Sequence, residues 1–147
     1  MNMKKILFIL VTITLSLTAC ADNDQLVEYA ELPVVAQTFI RKYFNRSDVS
    51  YIKREREALH FEYNVYLKDA TEIDFDHQGN LQSIDCRHRA MPEGIVPELI
   101  TSFVSLHHPD QIIVEYAIGY RYLSVEISNG LDLVFDEWVV YLDRFED

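Results

Sequence analysis

Asp74, Asp76 and Gly79 stand in the spacing Asp-x-Asp-x-x-Gly. That spacing resembles part of a calcium loop, since a hard cation wants several carboxylate oxygens converging on a tight turn. A full loop needs further oxygen ligands and a closing bidentate glutamate, and Leu81 to Asp85 does not supply them in register. The same residues fit a hairpin turn more simply, with Asp76 opening Asp76-His77-Gln78-Gly79-Asn80 and Gly79 taking a positive φ. Cys86 with His88 has the look of an activated thiol, because a nearby imidazole lowers a thiol pKa. Against that, Ile84 and Cys86 share a strand face and Asp85 opposes ionisation of its neighbour, so Cys86 is expected to be buried and inert. His107-His108 offers two imidazoles, but adjacent helical positions do not face one another, and no residue at zinc-ligand spacing completes a set. Ser102 and Ser105 lack a nucleophile elbow, and four glycines scarcely allow a phosphate-binding loop. The chain reads as a non-enzyme, with no catalytic residue, no metal site and no cofactor.

The N-terminus carries a different chemistry. Lys4 and Lys5 precede an apolar stretch from Ile6 to Leu17 and then Thr18-Ala19-Cys20, the layout of a secretory signal. The apolar run is too short to span a bilayer as a helix. Leu17-Thr18-Ala19-Cys20 resembles the lipobox of bacterial lipoproteins, in which the cysteine is acylated and becomes the new N-terminus. Residues 1–19 are thus expected to be a signal peptide, and Cys20 a lipidation site holding the chain to the cell envelope, most simply at the outer membrane. Several acyl chains on one cysteine anchor firmly where a single chain is marginal. Removing residues 1–19 takes away Lys4, Lys5 and no carboxylate, so the formal net charge of −11 becomes −13. Such a surface repels phosphate backbones and anionic headgroups. Nucleic acid is therefore excluded as a partner, and membrane contact is assigned to the lipid alone. With Cys20 acylated, Cys86 has no internal disulfide partner.

The elements that must position these residues recur along the chain. Pro33 and Pro97, Phe39 and Phe103, Ile40 and Val104, and Tyr43 and His107 lie 64 residues apart. Val65 and Val125, Leu67 and Ile127, Ile73 and Leu133, Phe75 and Phe135, and Asp76 and Asp136 lie 60 apart. Ala36, Phe39, Ile40 and Tyr43 make one apolar helical stripe, and Ile100, Phe103, Val104 and His107 make another. Alternation then marks strands at Phe61 to Leu67, Thr71 to Phe75, Leu81 to Cys86, Leu123 to Ile127, Leu131 to Phe135 and Val139 to Phe145. Edge strands are expected near Val49 to Lys53 and Ile112 to Tyr116. Asn129-Gly130 is the clearest hairpin turn. The expected fold is α+β: two tandem repeats, each a helix followed by a four-stranded antiparallel sheet, the sheets joined into one curved surface with helices on one face. Residues 20–30 form the lipidated cysteine and an acidic tether, 31–90 the first repeat and 91–147 the second.

Leu32-Pro33, Phe39-Ile40-Arg41-Lys42-Tyr43-Phe44, Thr71-Glu72-Ile73-Asp74-Phe75-Asp76, Gly79-Asn80, Ser128-Asn129-Gly130-Leu131-Asp132-Leu133 and Phe135-Asp136 resemble the PepSY-like envelope lipoproteins. That family is also described as similar to beta-lactamase inhibitor protein. The resemblance covers about residues 32 to 145 and implies the tandem helix-and-sheet architecture. It carries over no catalytic motif, and it suggests inhibition of a hydrolase. The chain departs from the pattern at His107-His108, where an aromatic pair is usual, and at Glu137-Trp138, which replaces a Gly-bearing turn.

A sheet with helices on one face leaves the other to solvent. If Val65 and Leu67 point inward, Tyr66 points outward, and by the same logic Tyr120, Tyr122, Val134 and Tyr141 line the open side beside Glu62, Glu72, Asp74 and Asp132. Tyrosines concentrate binding energy at interfaces, and a carboxylate rim suits a basic or neutral protein. The expected function is non-enzymatic binding or inhibition of an envelope or secreted protein partner through Tyr66, Tyr120, Tyr122, Tyr141, Glu62, Glu72 and Asp132. Replacing Tyr66 and Tyr122 by alanine is expected to leave the melting temperature nearly unchanged. The rival is a small-ligand or cation-sensing envelope domain using the acidic hairpins.

Overall fold

The structure, a computed structural model, describes residues 24–57, 59–136, 138 and 141–142. The expected signal peptide, Cys20 and the first residues of the tether lie outside the described residues. The elements in chain order are β1 (Gln25–Leu26), α1 (Val34–Tyr43), β2 (Val49–Glu57), β3 (His60–Leu67), β4 (Glu72–Phe75), β5 (Leu81–Asp85), α2 (Glu98–His107), β6 (Ile113–Gly119), β7 (Tyr122–Ile127), β8 (Leu131–Asp136) and β9 (Tyr141–Leu142). Short 3-10 turns lie at Tyr29–Glu31 and Arg46–Asp48.

Both helices start directly after a proline, whose missing N–H costs nothing there. Arg41 and Lys42 occupy the last turn of α1, where a cation complements the dipole. Each helix buries a narrow stripe, Ala36 and Ile40 on α1 and Ile100 and Val104 on α2. Phe39 meets Phe75 edge-on at 5.6 Å, and Phe103 meets Phe135 in the same way at 5.4 Å. The Tyr43 hydroxyl donates to the Gly94 carbonyl at 2.8 Å, tying α1 to the segment before α2. His107 is exposed, its ring 4.3 Å from that of Phe103.

Two tandem repeats, each with a four-stranded sheet of its own, are not what forms. A single antiparallel sheet runs in the order β1-β2-β3-β4-β5-β6-β7-β8-β9. β5 pairs directly with β6, Ser83 opposite Ala117, Ile84 opposite Tyr116 and Asp85 opposite Glu115. The buried side chains from both halves belong to one cluster, from Leu32 and Ile40 to Leu133 and Phe135. The physical reason is that an independent half would leave two raw strand edges and too little buried surface, since a unit of about 60 residues is marginal alone. Pairing β5 with β6 covers one edge of each half, leaving β1 and β9 as the edges of the described sheet, and merges the cores. The stretch expected as a pure tether also contributes β1, whose Gln25 and Leu26 sit opposite Arg54 and Lys53. β2 and β6 extend further than expected, to Glu57 and Gly119.

The turns follow their sequences. Gly130 has φ +82°, and the Asn129 side chain accepts from the Leu131 N–H at 3.1 Å. Asp76 accepts from the N–H groups of Gln78 and Asn80, both at 2.8 Å, while Gly79 takes φ +87°. A Cβ built on Gly79 would come within 2.7 Å of the Pro33 Cβ and 2.9 Å of the Ala36 nitrogen. The β4–β5 turn therefore packs directly under the start of α1.

Candidate binding face on the sheet

Register decides which side chains share the open face. The inward rows, including Ile52 opposite Val65, Val65 opposite Ile73 and Ile73 opposite Ile84, carry the core. The row between them on the outer face runs Tyr51, Tyr66, Glu72, Asp85, Glu115, Glu126, Asp132, each residue opposite the next on the neighbouring strand from β2 to β8. Two tyrosines are followed by five carboxylates, one per strand at intervals of about 4.8 Å.

At the aromatic end the Tyr51 and Tyr66 rings stack at 4.4 Å with 15° between planes. Lys53 Nζ lies 5.8 Å from the Tyr66 ring centre. Burial, a hydrogen bond with Glu72 and the surrounding negative charge raise the Tyr66 phenol, so it stays a neutral donor. Next along, Arg87 forms ion pairs with Asp85 at 2.9 Å and Glu72 at 3.3 Å, offsetting part of the negative charge there. Arg87 is held there by φ +61° and by its N–H donating to Asp85 at 2.6 Å. At the far end, Glu126 and Asp132 have no cation within ion-pair distance among the described residues. Burial, then the charges of Asp85, Glu126 and Asp132, push the Glu115 carboxyl up against the weaker opposite pull of Arg87. The face thus has an aromatic pad at one side and an anionic field concentrated over β6 to β8.

The expected site residues divide accordingly. Tyr66, Glu72 and Asp132 stand in this one row, with Tyr66 and Glu72 in direct contact. Glu62 is on the same face, opposite Glu55. Tyr122 also faces outward, opposite Gly119 and Asp136, and its ring lies so close over Gly119 that a Cβ there would sit 2.0 Å from it. Tyr120 is not on the face; it projects from the β6–β7 turn. Tyr141 pairs with Phe135 in β9, and its side chain lies outside the described residues. Sequence reasoning passed over Tyr51, Asp85, Glu115 and Glu126. Alternation alone puts Asp85 beside inward Ile84 and Glu126 between inward Val125 and Ile127, so the outward direction of those two was available. What it lacks is the cross-strand register that makes them neighbours.

The other candidate chemistry is used locally. Asp74 accepts from the Asn64 amide at 2.8 Å and the Ser83 hydroxyl at 2.5 Å, one on each carboxylate oxygen. Asp76 closes its turn. No group of three His, Cys, Asp or Glu side chains among the described residues is placed to hold a metal ion. Cys86 is buried, its thiol pushed up chiefly by burial.

Solved structures share the fold. Two proteins of Bacteroides vulgatus, provisionally described as periplasmic, match with 28% and 27% sequence identity and TM-scores of 0.79 and 0.77, over 84% and 82% of this chain and 97% of each of theirs. A protein of Bacteroides thetaiotaomicron, provisionally described as calcium-regulated and periplasmic, matches with 30% identity and a TM-score of 0.80, over 84% of this chain and 97% of its own. Among curated proteins none matches. A family model, PepSY-like and provisionally described as beta-lactamase-inhibitor-like, matches residues 61–142, which hold β3 through β9 and so nearly all of the outward row. On that match, and on the fold shared with the Bacteroides proteins, this chain belongs to the PepSY-like family.

Proposed function

We propose that the protein is a non-enzymatic, lipid-anchored component of the cell envelope that binds a protein partner through the outer sheet face. The unbroken outward row from Tyr51 to Asp132 carries this reading. A partner with basic side chains opposite Glu115, Glu126 and Asp132, and an apolar or cationic side chain over the Tyr51–Tyr66 pad, matches it in charge and in chemistry. The periplasmic descriptions of the Bacteroides structures support the envelope location. The family description suggests an inhibitory role, although a shared fold does not by itself transfer a function.

The test is crosslinking and capture from intact envelopes with the native protein as bait, against Tyr66→Ala with Tyr122→Ala. Recurrent capture of one basic protein by wild type, weakened at least about tenfold in the double variant, is the expected result. Undiminished capture would remove the sheet face from consideration. The structure also revises the expected melting behaviour. Tyr66 gives up a ring stack and a hydrogen bond and Tyr122 uncovers Gly119, so each change costs about 1 kcal/mol, and capture must be compared where both proteins are fully folded.

A second reading, cation sensing, is favoured by the description of the Bacteroides thetaiotaomicron structure. In this chain both Asp74 oxygens already accept hydrogen bonds and Asp76 is spent on its turn. Millimolar calcium is accordingly expected to raise the melting temperature no more than magnesium does at equal ionic strength. A calcium-specific rise abolished by Asp74→Asn would reverse the preference, since a ligand bound only by the native state must stabilise it.

A further inference from the structure

The strands form a plain meander, so successive turns alternate between the two ends of the sheet. The β2–β3, β4–β5, β6–β7 and β8–β9 connections lie at one end, and the β3–β4 and β7–β8 turns at the other. The two ends differ in character. The far turns are polar or small, Asp69-Ala70 and Asn129-Gly130. The near end presents Leu59, Tyr120 and Trp138, which are 88%, 90% and 77% exposed. Its β4–β5 turn is polar, but α1 starts against that turn, through Pro33 and Ala36 on Gly79, and brings the exposed Val34 and Val35 to the same end.

The chain leaves β1 at this end too. β1 runs antiparallel to β2 with Gln25 opposite Arg54, so Asp24 lies level with Glu55 and 3.7 Å from Lys53 Nζ, on the side of β1 in the direction of the β2–β3 turn. Leu59 stands about 13 Å further along that direction. Three residues separate Asp24 from Cys20, so the two Cα atoms are at most about 14 Å apart. An acylated Cys20 therefore reaches little beyond the turns, and its chains enter a bilayer most directly when this end of the sheet is in contact with the membrane.

We propose that the turn end carrying Leu59, Tyr120 and Trp138 docks on the lipid surface, holding the sheet upright with its outer face open sideways. The occupant is a bilayer, because the tether length and exit point put one there. Leucine and aromatic side chains are also the types that enter the interfacial region, Trp and Tyr above all. The chain's acidity makes this an apolar contact with zwitterionic lipid and not an electrostatic one. Among the described residues no helix is long and apolar enough to cross a membrane. The inference rests on lipidation of Cys20.

Trp138 is the chain's one tryptophan and reports on this end directly. The native lipidated protein would be reconstituted in phosphatidylcholine vesicles, with and without brominated acyl chains, and the mass of its N-terminal peptide measured. The expected result is an acylated Cys20, a blue-shifted Trp138 emission protected from acrylamide, and strong quenching by the brominated lipid. Leu59→Ser with Tyr120→Ser, at positions too exposed to affect folding, should reduce that quenching several-fold. An acylated, vesicle-bound protein whose Trp138 remains open to acrylamide would overturn the docking while leaving the lipidation intact. An unacylated Cys20 would overturn both. A blue shift already present in the soluble chain lacking residues 1–20 would assign the end to a second copy instead.

Discussion

The triple variant Glu115→Gln, Glu126→Gln, Asp132→Asn is expected to be more stable than the wild-type chain at neutral pH, and to lose most of its capture of a basic partner. Three carboxylate pairs, Asp85 with Glu115, Glu115 with Glu126 and Glu126 with Asp132, face each other across adjacent strands. Like charges directly opposite destabilise a sheet by a few tenths to about 1 kcal/mol each, so removing them should gain about 1–2 kcal/mol in all. Binding moves the other way. Stripping an anionic field from an interface slows encounter and weakens capture by about tenfold or more at low salt, and the wild-type protein should lose the same advantage as salt is raised. The acid limb carries an independent check. The Glu115 carboxyl is raised above its ordinary 4.5. A carboxyl raised in the folded state destabilises progressively as pH climbs from its unfolded value through its folded one, so wild-type stability should increase as pH falls from neutrality toward that unfolded value. Burial pushes the Asp69 and Asp76 carboxyls up too, but hydrogen bonds, from Thr71 and Arg89 to Asp69 and from Asn80 and Gln78 to Asp76, outweigh it and hold both below 3.8. Their stabilisation is present above 3.8 and disappears as pH falls through their folded values. Wild type should therefore be most stable on the acidic side of neutrality, and the triple variant should flatten the upper limb and keep the lower. Urea denaturation across pH measures both; a variant less stable than wild type at neutral pH would contradict the repulsion.

Gly79→Ala is expected to cost about 2–4 kcal/mol, the sum of a left-handed backbone under a β-carbon and an overpacked contact. Its φ is +87°, and the new atom would meet Pro33 and backbone at Ala36, neither of which is the end of a flexible side chain. Gly130→Ala supplies the comparison. It shares the positive φ, at +82°, but has nothing within 4 Å of the added carbon, so only the backbone part, about 1 kcal/mol, should appear. Equal losses from the two substitutions in urea unfolding would mean that the β4–β5 turn does not bear on α1 as tightly as the geometry requires.

How much of this was legible depended on the range of the interaction that decides it. The helical stripes led by Ala36 and Ile40 and by Ile100 and Val104, and the turns at Asp76 to Asn80 and Asn129-Gly130, are written in residues a few positions apart. The division into two tandem repeats, each a helix with four strands of its own, failed because the partner of Ile84 is Tyr116, across a connection that contains a whole helix, and no local pattern encodes that pairing. The same blindness concealed the binding row. Each of Glu72, Asp85, Glu115, Glu126 and Asp132 belongs to an alternating strand, yet their alignment is a property of four registers at once, one of them shifted by a bulge near Glu115. Tyr120 was assigned to the face because Tyr122 is on it, but the two-residue turn between Gly119 and Tyr122 lifts it out of the sheet.

The order of the strands in space is also their order in the chain, and that bears on how the protein is made. A chain emerging from an export pore N-terminus first can add each strand to the one just formed, with no strand waiting for a partner still to be delivered. The exception is the closure of β6 on β5, which must bring together the ends of the longest connection. Until then β5 is an open edge, vulnerable to pairing with another chain. Refolding should show its slow step there, and substitutions that loosen the segment between Cys86 and Ile112 should lower the yield of exported protein more than they lower its final stability.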